Sequence, residues 1–118
     1  MRAFFYLKTC NTCIKIQKQL NLSEDIELRE LKSNPVTSVE LEHLKTLSGS
    51  FESLFNRRSK LYISMGLKHE VLLEKDYRHY ILDHYSFLKR PILILDDKIY
   101  IGNSKKEVGG AINHLQSL

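Results

Sequence analysis

Several features that would place this chain in a specialised class are missing from its sequence. Only two of the 118 residues are cysteine, too few for a framework of disulfide bonds. No charged and then apolar leader precedes the first strand-like segment, so the cytoplasm is the expected location. No apolar stretch approaches the roughly 20 residues that span a membrane. The longest such stretches, residues 3–7 and 91–95, have the length of a strand.

The charge balance excludes another class. Lysine and arginine number 18 against 14 aspartate and glutamate residues, for a formal net charge of +4. This mild bias differs from the concentrated basic tract of a nucleic-acid-binding protein, so we expect no direct DNA binding. No repeat, low-complexity segment or linker interrupts the chain. With 42% hydrophobic residues, residues 1–118 suit one compact domain.

The first part of the chain has the pattern of a strand, a helix and a second strand. Residues 3–7 are a continuous apolar run, typical of a strand buried on both faces. A helix is predicted from residue 12 to about residue 21, on the stripe formed by Cys13, Ile16 and Leu20. Ile26 and Leu28 then alternate with charged residues before a break at residues 33–35, which predicts the second strand.

The middle of the chain is predicted to be helical. Thr37 and Glu40 have the spacing of a capping box, and leucines follow on one face as far as Gly49, which is placed to end the helix. A second helix is predicted within part of residues 51–65, closing at Gly66. A third is predicted from about residue 74 to residue 85.

The end of the chain predicts a hairpin and a closing helix. Residues 92–95 form an apolar strand, and an Asp-Asp-Lys turn leads back into residues 99–101. Ser104 and Glu107 have capping-box spacing at the start of an amphipathic helix. The adjacent glycines 109–110 lower the helix propensity of that segment by about 1–2 kcal/mol.

The two cysteines, Cys10 and Cys13, lie where the first strand leads into the first helix. A thiol reacts as its thiolate, which the free N–H groups at a helix N-terminus favour. Cys10 is expected at that terminus, exposed and with a low pKa, whereas Cys13 faces the core one turn later. The spacing predicts that Cys10 is the nucleophile and Cys13 the resolving thiol, which attacks a mixed disulfide formed on Cys10.

Two other interpretations of the cysteine pair are a pair of small buried hydrophobic residues and half of a zinc site. Zinc requires further ligands, and the sequence contains no second Cys-x-x-Cys, while its five histidines are scattered downstream. A Cys-x-x-Cys motif that opens a βαβ unit is a redox signature, and we favour that function. His79 and His84, which lie among tyrosines, are interpreted as residues at the edge of the core.

Two arginines are candidates for anion binding. Arg90 stands before Pro91 at the start of a predicted buried strand, where its guanidinium would offer a planar fork of donors to an oxyanion or carboxylate. Arg58 lies within the basic cluster of residues 57–60. Taken alone, each arginine is more typical of an exposed surface residue.

Taken together, these segments resemble the arsenate reductase (ArsC)/Spx/YffB family over nearly the whole chain. The matching segments are the cysteine loop at residues 6–13, Leu-Phe-Asn-Arg-Arg at 54–58, Leu-Lys-Arg-Pro-Ile at 88–92, and the final hairpin and helix at 96–118. Their order and spacing carry the resemblance.

The resemblance implies an α/β, thioredoxin-like fold, in which helices flank a mixed β-sheet. The thioredoxin-like core would comprise residues of about 1–35 and 89–118, with a helical insertion at about 36–88. In such folds the proline that matches Pro91 is cis and lies beside the reactive cysteine.

The reductase branch of the family suggests an enzymatic role. There, the cysteine matching Cys10 attacks arsenate, arginines matching Arg58 and Arg90 hold the oxyanion, and glutathione with glutaredoxin completes turnover. A third arginine position falls near residues 102–103, which are glycine and asparagine in this chain. We therefore expect arsenate to be a poor substrate.

The Cys-x-x-Cys motif and the Arg-Ser-Lys run at residues 58–60 look closer to Spx, a redox-sensing regulator that binds the RNA polymerase alpha subunit. Spx proteins also carry a short tail, whereas this sequence ends directly after the predicted last helix. We predict a thiol-dependent oxidoreductase, and the alternative is an Spx-like regulator of transcription.

The predicted site comprises Cys10, Cys13, Arg58, Arg90 and Pro91. The substrate would be a small oxyanion or a glutathione-type thiol. Glutathione, glutaredoxin or another thiol would donate electrons. We expect a monomer that binds no metal and no resident cofactor.

Overall fold

A computed structural model describes residues 1–118 and contains four strands, five α-helices and three short 3-10 helices. The strands are β1 (Arg2–Tyr6), β2 (Glu27–Glu30), β3 (Ile92–Leu95) and β4 (Lys98–Ile101). The α-helices are α1 (Asn11–Leu20), α2 (Ser38–Ser48), α3 (Lys60–Ser64), α4 (Glu74–Asp83) and α5 (Lys105–Ser117). The 3-10 helices are Glu52–Leu54, Leu67–His69 and Tyr85–Phe87. None of the helices is both long enough and apolar enough to cross a membrane.

The chain divides into two compact units. The first unit combines Met1–Asn34 with Arg90–Leu118 and contains the whole sheet together with α1 and α5. The second unit, Pro35–Lys89, contains α2, α3 and α4. The cysteine pair, Arg90 and Pro91 therefore belong to the first unit, and Arg58 belongs to the second.

The sheet is mixed and has the strand order β2-β1-β3-β4. β1 is parallel to β2 and antiparallel to β3, and β3 forms an antiparallel hairpin with β4. The two central strands, β1 and β3, are the continuous apolar runs of the sequence, because both of their faces are buried. The predicted α/β architecture, with helices flanking a mixed sheet, is confirmed.

One hydrophobic cluster of the first unit lies on one face of the sheet, against α1 and α5. Phe4 of β1 stands opposite Leu93 of β3, and both side chains are buried there. The other buried members of this cluster are Ile16, Leu20, Ile26, Leu95 and Ala111. The predicted apolar stripe of α1 is therefore confirmed.

The second strand forms where it was predicted, but its apolar residue, Leu28, is not buried. Leu28 is 49% exposed, whereas Arg29 is only 7% exposed and its guanidinium lies 5.6 Å from the centre of the Phe5 ring. β2 lies at the edge of the sheet. The register of the pair β1–β2, rather than residue polarity, decides which side chains face inward.

The first predicted helix of the second unit is confirmed as α2. Its capping box is complete, because Glu40 N–H donates to the Thr37 hydroxyl at 3.1 Å and Thr37 N–H donates to the Glu40 carboxylate at 2.9 Å. Gly49 ends the helix with a φ of 99°, which a glycine adopts without strain.

α3 lies within the segment predicted to be partly helical, but α4 is shorter than predicted. α3 has five residues, and Gly66 follows it after Met65 with a φ of 68°. α4 ends at Asp83 rather than Tyr85, because His84 is extended, with φ −151° and ψ 134°. The imidazole Nδ1 of His84 then accepts the Ser86 N–H at 3.1 Å and stabilises a 3-10 turn in place of the α-helix.

The capping box predicted at α5 is only half correct. The Ser104 hydroxyl accepts the Glu107 N–H at 3.1 Å, as an N-cap residue does. The Glu107 carboxylate, however, accepts the Ile101 N–H at 3.0 Å instead of returning to Ser104. It therefore ties the first turn of α5 to the end of β4.

The two glycines within α5 differ in their surroundings. A Cβ atom on Gly110 would lie 3.2 Å from Cε1 of Tyr100, whereas a Cβ atom on Gly109 would have no neighbour within 4 Å. The hydroxyl of Tyr100 is hydrogen-bonded to Nδ1 of His114 at 3.0 Å, which limits how far the ring can move. The absence of a side chain at Gly110 therefore allows α5 to pack closely against β4. Gly109 makes no such close approach.

These surroundings predict opposite consequences for two alanine substitutions. Gly109→Ala should raise the free energy of unfolding by about 0.5–1 kcal/mol, because alanine loses less backbone entropy than glycine in a helix. Gly110→Ala should give a smaller gain or a loss, because the new methyl group crowds the Tyr100 ring. Urea unfolding of the two variants measures the difference, and equal gains would show that α5 does not pack closely on Tyr100.

Candidate functional site

Cys10 is the N-cap residue of α1. Its backbone is extended, with φ −96° and ψ 104°, and its carbonyl accepts the Ile14 N–H at 3.1 Å. Its sulfur accepts the Cys13 N–H at 3.4 Å. The first N–H groups of a helix have no partner within it, and a side chain at the N-cap position satisfies one of them. In this helix that acceptor is the sulfur of Cys10.

Cys13 lies one helical turn later, where its side chain is fully buried. Cys10 is only partly buried, and both cysteines are free thiols. The two residues approach to 3.1 Å. The positions of the two cysteines are those expected from the sequence, one at the helix terminus and one on the core side. Their roles as nucleophile and resolving thiol stay a prediction.

Opposing effects act on the pKa of Cys10. Partial burial is the largest single influence and acts to raise the pKa. Hydrogen bonds from the Cys13 thiol and N–H, the positive charge of Arg90, and a hydrogen bond from the Thr12 backbone act in the opposite direction. Together they hold the pKa of Cys10 below its ordinary value, so the thiolate is favoured.

The pKa of Cys13 moves the other way. Burial raises the pKa of Cys13 to about 12, and the neighbouring Cys10 adds to this effect as a hydrogen-bond partner and as a charge. A hydrogen bond with the Leu7 backbone and the charge of Arg90 lower it only in part. In the reduced protein Cys13 is therefore a protonated thiol that donates to the sulfur of Cys10.

Arg90 and Pro91 lie at the start of β3. The peptide bond between them is cis, as expected for a thioredoxin-like fold. Pro91 is buried and its carbonyl accepts the Gly102 N–H at 2.8 Å. Arg90 is partly buried, and its charge favours the thiolate form of both cysteines. Their predicted role in binding an anion or substrate stays a prediction.

The basic cluster of the second unit contains two arginines with different surroundings. Arg57 donates to the Glu52 carboxylate at 2.6 Å and to the Tyr77 hydroxyl at 3.0 Å. Arg58 is exposed, and only its backbone N–H makes a hydrogen bond, to Oδ1 of Asn56 at 3.1 Å. Arg57 thus has a structural role, while the guanidinium of Arg58 is available to a ligand. Its predicted anion binding stays a prediction.

The third arginine position that the family resemblance suggests holds Gly102 and Asn103. Gly102 has a φ of 85°, a conformation that favours glycine, and Asn103 is exposed. No group of three or more histidine, cysteine, aspartate or glutamate side chains is placed to hold a metal ion.

Sequence reasoning assigned no role to Glu30, which the structure connects to the cysteine loop. The Glu30 carboxylate accepts the Lys8 N–H at 3.1 Å. No motif marks this residue, because the contact depends on the pairing of β1 with β2, in which Tyr6 stands opposite Glu30.

Comparison with known proteins places the chain in the ArsC family. The model of that family matches residues 5–111, so the chain belongs to it. The global transcriptional regulator Spx of Streptococcus pneumoniae is 24% identical over 110 residues, which are 92% of this chain and 83% of that protein. Membership identifies the chain as part of a thiol-dependent redox family.

Solved structures share the fold. An ArsC family related protein from Bacteroides fragilis has a TM-score of 0.79 at 22% identity, with 93% of this chain and 96% of that chain covered. The arsenate reductase from Vibrio cholerae has a TM-score of 0.76 at 13% identity, with 95% of each chain covered. The predicted thioredoxin-like fold is therefore confirmed.

The surroundings of Cys10 predict its reactivity. At neutral pH an alkylating reagent should modify Cys10 and spare Cys13, with an apparent pKa for Cys10 below the ordinary thiol value. Arg90→Met should raise that pKa, because it removes a positive charge that stabilises the thiolate. The measurement is the rate of alkylation against pH, with each site followed by mass spectrometry.

Lys89→Met provides the matched control. It removes the same charge from the adjacent position, where the side chain is exposed, whereas Arg90 is partly buried and acts on the pKa of Cys10. Equal effects of the two variants would show that net charge, rather than the placement of Arg90, controls Cys10. Faster alkylation of Cys13 than of Cys10 would reverse the assignment of the two thiols.

Proposed function

We propose that this member of the ArsC family is a thiol-dependent oxidoreductase, in which Cys10 is the nucleophile and Cys13 is the resolving thiol. The observation that carries the proposal is the difference between the two sulfurs. Cys10 caps a helix and its pKa is lowered, whereas Cys13 is buried and its pKa is raised. Such a pair divides attack and resolution between two thiols.

The proposed cycle on a disulfide substrate begins with the Cys10 thiolate. It attacks one substrate sulfur, the S–S bond breaks, and one half of the substrate leaves as a thiolate. Cys13 then loses its proton to solvent and attacks the sulfur of Cys10, which releases the second half and leaves a Cys10–Cys13 disulfide. Two electrons have passed to the substrate. Two molecules of glutathione, a glutaredoxin or another dithiol would return them.

The second step should depend on pH more strongly than the first. In the mixed disulfide, the sulfur of Cys10 no longer carries a charge, so part of the effect that raises the pKa of Cys13 disappears. Burial, the largest cause of that shift, remains. Between neutral pH and pH 9, release of the substrate thiol should therefore speed up as the thiolate fraction of Cys13 grows.

Anion recognition is the second part of the proposal. Arg90 would bind a small oxyanion or the carboxylate of a glutathione-type thiol, and Arg58 of the second unit is a separate candidate for binding such an anion. Support comes from the charge of Arg90, which acts on both sulfurs, and from the exposed guanidinium of Arg58. Arginine suits this role because its planar fork makes two charge-assisted hydrogen bonds to one anion.

The second candidate function is redox control of transcription. Two relatives that align with 92% of this chain are global transcriptional regulators, Spx from Streptococcus pneumoniae and Spx 2 from Bacillus anthracis. In that case the same disulfide would report the redox state to the RNA polymerase alpha subunit instead of turning over a substrate. A pull-down of that subunit by the reduced and the oxidised protein, run beside turnover of a disulfide with glutathione and glutaredoxin, separates the two functions.

Mild oxidation should form a disulfide within one chain. Cys-x-x-Cys spans one helical turn, which places the sulfurs within bonding reach. Two free thiols should disappear per chain, as counted by mass spectrometry, with no covalent dimer on a non-reducing gel. Cys13→Ser, mixed with a disulfide substrate, should instead keep half of that substrate bound to Cys10 as a mixed disulfide. Oxidation that yields only dimers in the unsubstituted protein would contradict the resolving role.

Arsenate turnover should be slow. A charge-assisted hydrogen bond contributes about 1.5–3 kcal/mol, so loss of the third arginine should reduce the rate about tenfold to a hundredfold relative to a three-arginine reductase. Arg90→Ala and Arg58→Ala should each weaken anion binding further. Lys60→Ala, at another exposed basic position, should not. Steady-state kinetics with arsenate, glutathione and glutaredoxin test this, and turnover as fast as that of a three-arginine enzyme would contradict it.

A further inference from the structure

The Glu30 carboxylate uses its two oxygens for two different segments. Oε1 accepts the Lys32 N–H at 3.1 Å, the Ser33 N–H at 2.9 Å and the Ser33 hydroxyl at 2.9 Å. Oε2 accepts the Lys8 N–H at 3.1 Å. One oxygen therefore closes the turn after β2, while the other reaches the loop that carries the cysteines.

The Lys8 N–H belongs to a peptide unit that also contacts Cys10. Its carbonyl, that of Leu7, accepts the Cys10 N–H at 3.1 Å. Because a peptide unit is planar, a hydrogen bond that fixes its N–H also fixes the direction of its carbonyl. Glu30 is thus connected to Cys10 through one peptide unit.

We propose that Glu30 is a positioning residue for Cys10: its carboxylate orients the Leu7–Lys8 peptide and so keeps Cys10 in the extended conformation in which its sulfur caps α1. The inference rests on the proposed redox function of Cys10. The sheet makes Glu30 a firm support, because Leu31 N–H donates to the Tyr6 carbonyl at 2.8 Å, directly beside the carboxylate-bearing residue.

The carboxylate is ionised under the conditions in which Cys10 would react. Its hydrogen bonds, of which that from the Ser33 N–H has the largest effect, hold the pKa of Glu30 below its ordinary value. An ionised carboxylate only accepts hydrogen bonds, so both oxygens can serve N–H groups at the same time.

Positioning and charge predict opposite effects on Cys10. A carboxylate that acted only through its negative charge would raise the pKa of a nearby thiol, so its neutralisation would lower that pKa. A positioning carboxylate has the reverse effect. Its loss loosens the Leu7–Lys8 peptide, weakens the hydrogen bond from Cys13 N–H to the sulfur of Cys10, and raises the pKa of Cys10.

Glu30→Gln isolates the contact with Lys8. The amide oxygen can still accept from the donors of Lys32 and Ser33, but the amide nitrogen then faces the Lys8 N–H, where two donors cannot bond. Ser33→Ala is the matched control, because it removes one hydrogen bond to Oε1 and leaves the Lys8 contact intact.

Two measurements on the reduced protein test the proposal: Cys10 alkylation against pH, followed by mass spectrometry, and amide hydrogen exchange at Lys8, followed by NMR. In Glu30→Gln we expect a higher Cys10 pKa, alkylation at pH 7 slower by about fivefold, as expected for loss of one helix cap, and faster exchange at Lys8. Ser33→Ala should match the unsubstituted protein in all three.

An unchanged or lowered Cys10 pKa in Glu30→Gln, or equal effects in Ser33→Ala, would overturn the proposal. Glu30→Asp keeps the charge and shortens the reach, so it should shift the Cys10 pKa upward as well. If the Cys10 pKa of Glu30→Asp equals that of the unsubstituted protein, the proposal is also overturned. Glu30→Asp provides the test if Glu30→Gln does not fold. Failure of the unsubstituted protein to cycle its disulfide would remove the proposed function, whereas these measurements would still decide the role of Glu30.

Discussion

The hydrogen bond from the Cys13 N–H to the sulfur of Cys10 is the contact on which the candidate site depends. It forms because α1 begins directly after Cys10, which makes that sulfur the acceptor for the first turn of the helix. Helix and thiolate therefore stabilise one another. Oxidation changes this balance, because a disulfide sulfur carries no charge and accepts a hydrogen bond less well than a thiolate.

The sheet brings the remaining residues of the first unit to the same end. β1 and β3 are antiparallel, with Phe5 opposite Ile92, so the end of β1 that leads to Cys10 lies beside the start of β3, where Arg90 is found. β1 and β2 are parallel, so the end of β2 that carries Glu30 lies there as well. Three segments that are distant in sequence thus meet at one end of the sheet's strands.

One cysteine pair can serve both candidate functions, because enzyme and regulator require the same reversible disulfide. They differ in what reaches the pair: a small substrate held by arginine, or a protein that responds to the redox state. Arg57 and Arg58 are both exposed, but the guanidinium of Arg57 is hydrogen-bonded to Glu52 and Tyr77. Arg58 is therefore the arginine of this cluster that is available to a ligand.

The sequence by itself determined the features that depend on spacing along the chain. The helix stripe of α1, the capping box at Thr37, the hairpin and the position of Cys10 at a helix terminus all arise from neighbours within a few residues, so local patterns predict them. The family pattern located Arg90 and the cis Pro91 in the same way.

Only the tertiary structure decided the partners of charged side chains. It turned the Glu107 carboxylate to Ile101, buried Arg29 in place of Leu28, and joined Glu30 to Lys8 across 22 positions. The physical reason is that a helix cap is made by residues three or four apart, whereas the partner of a side chain at the end of a strand is set by which strands pair and in which register.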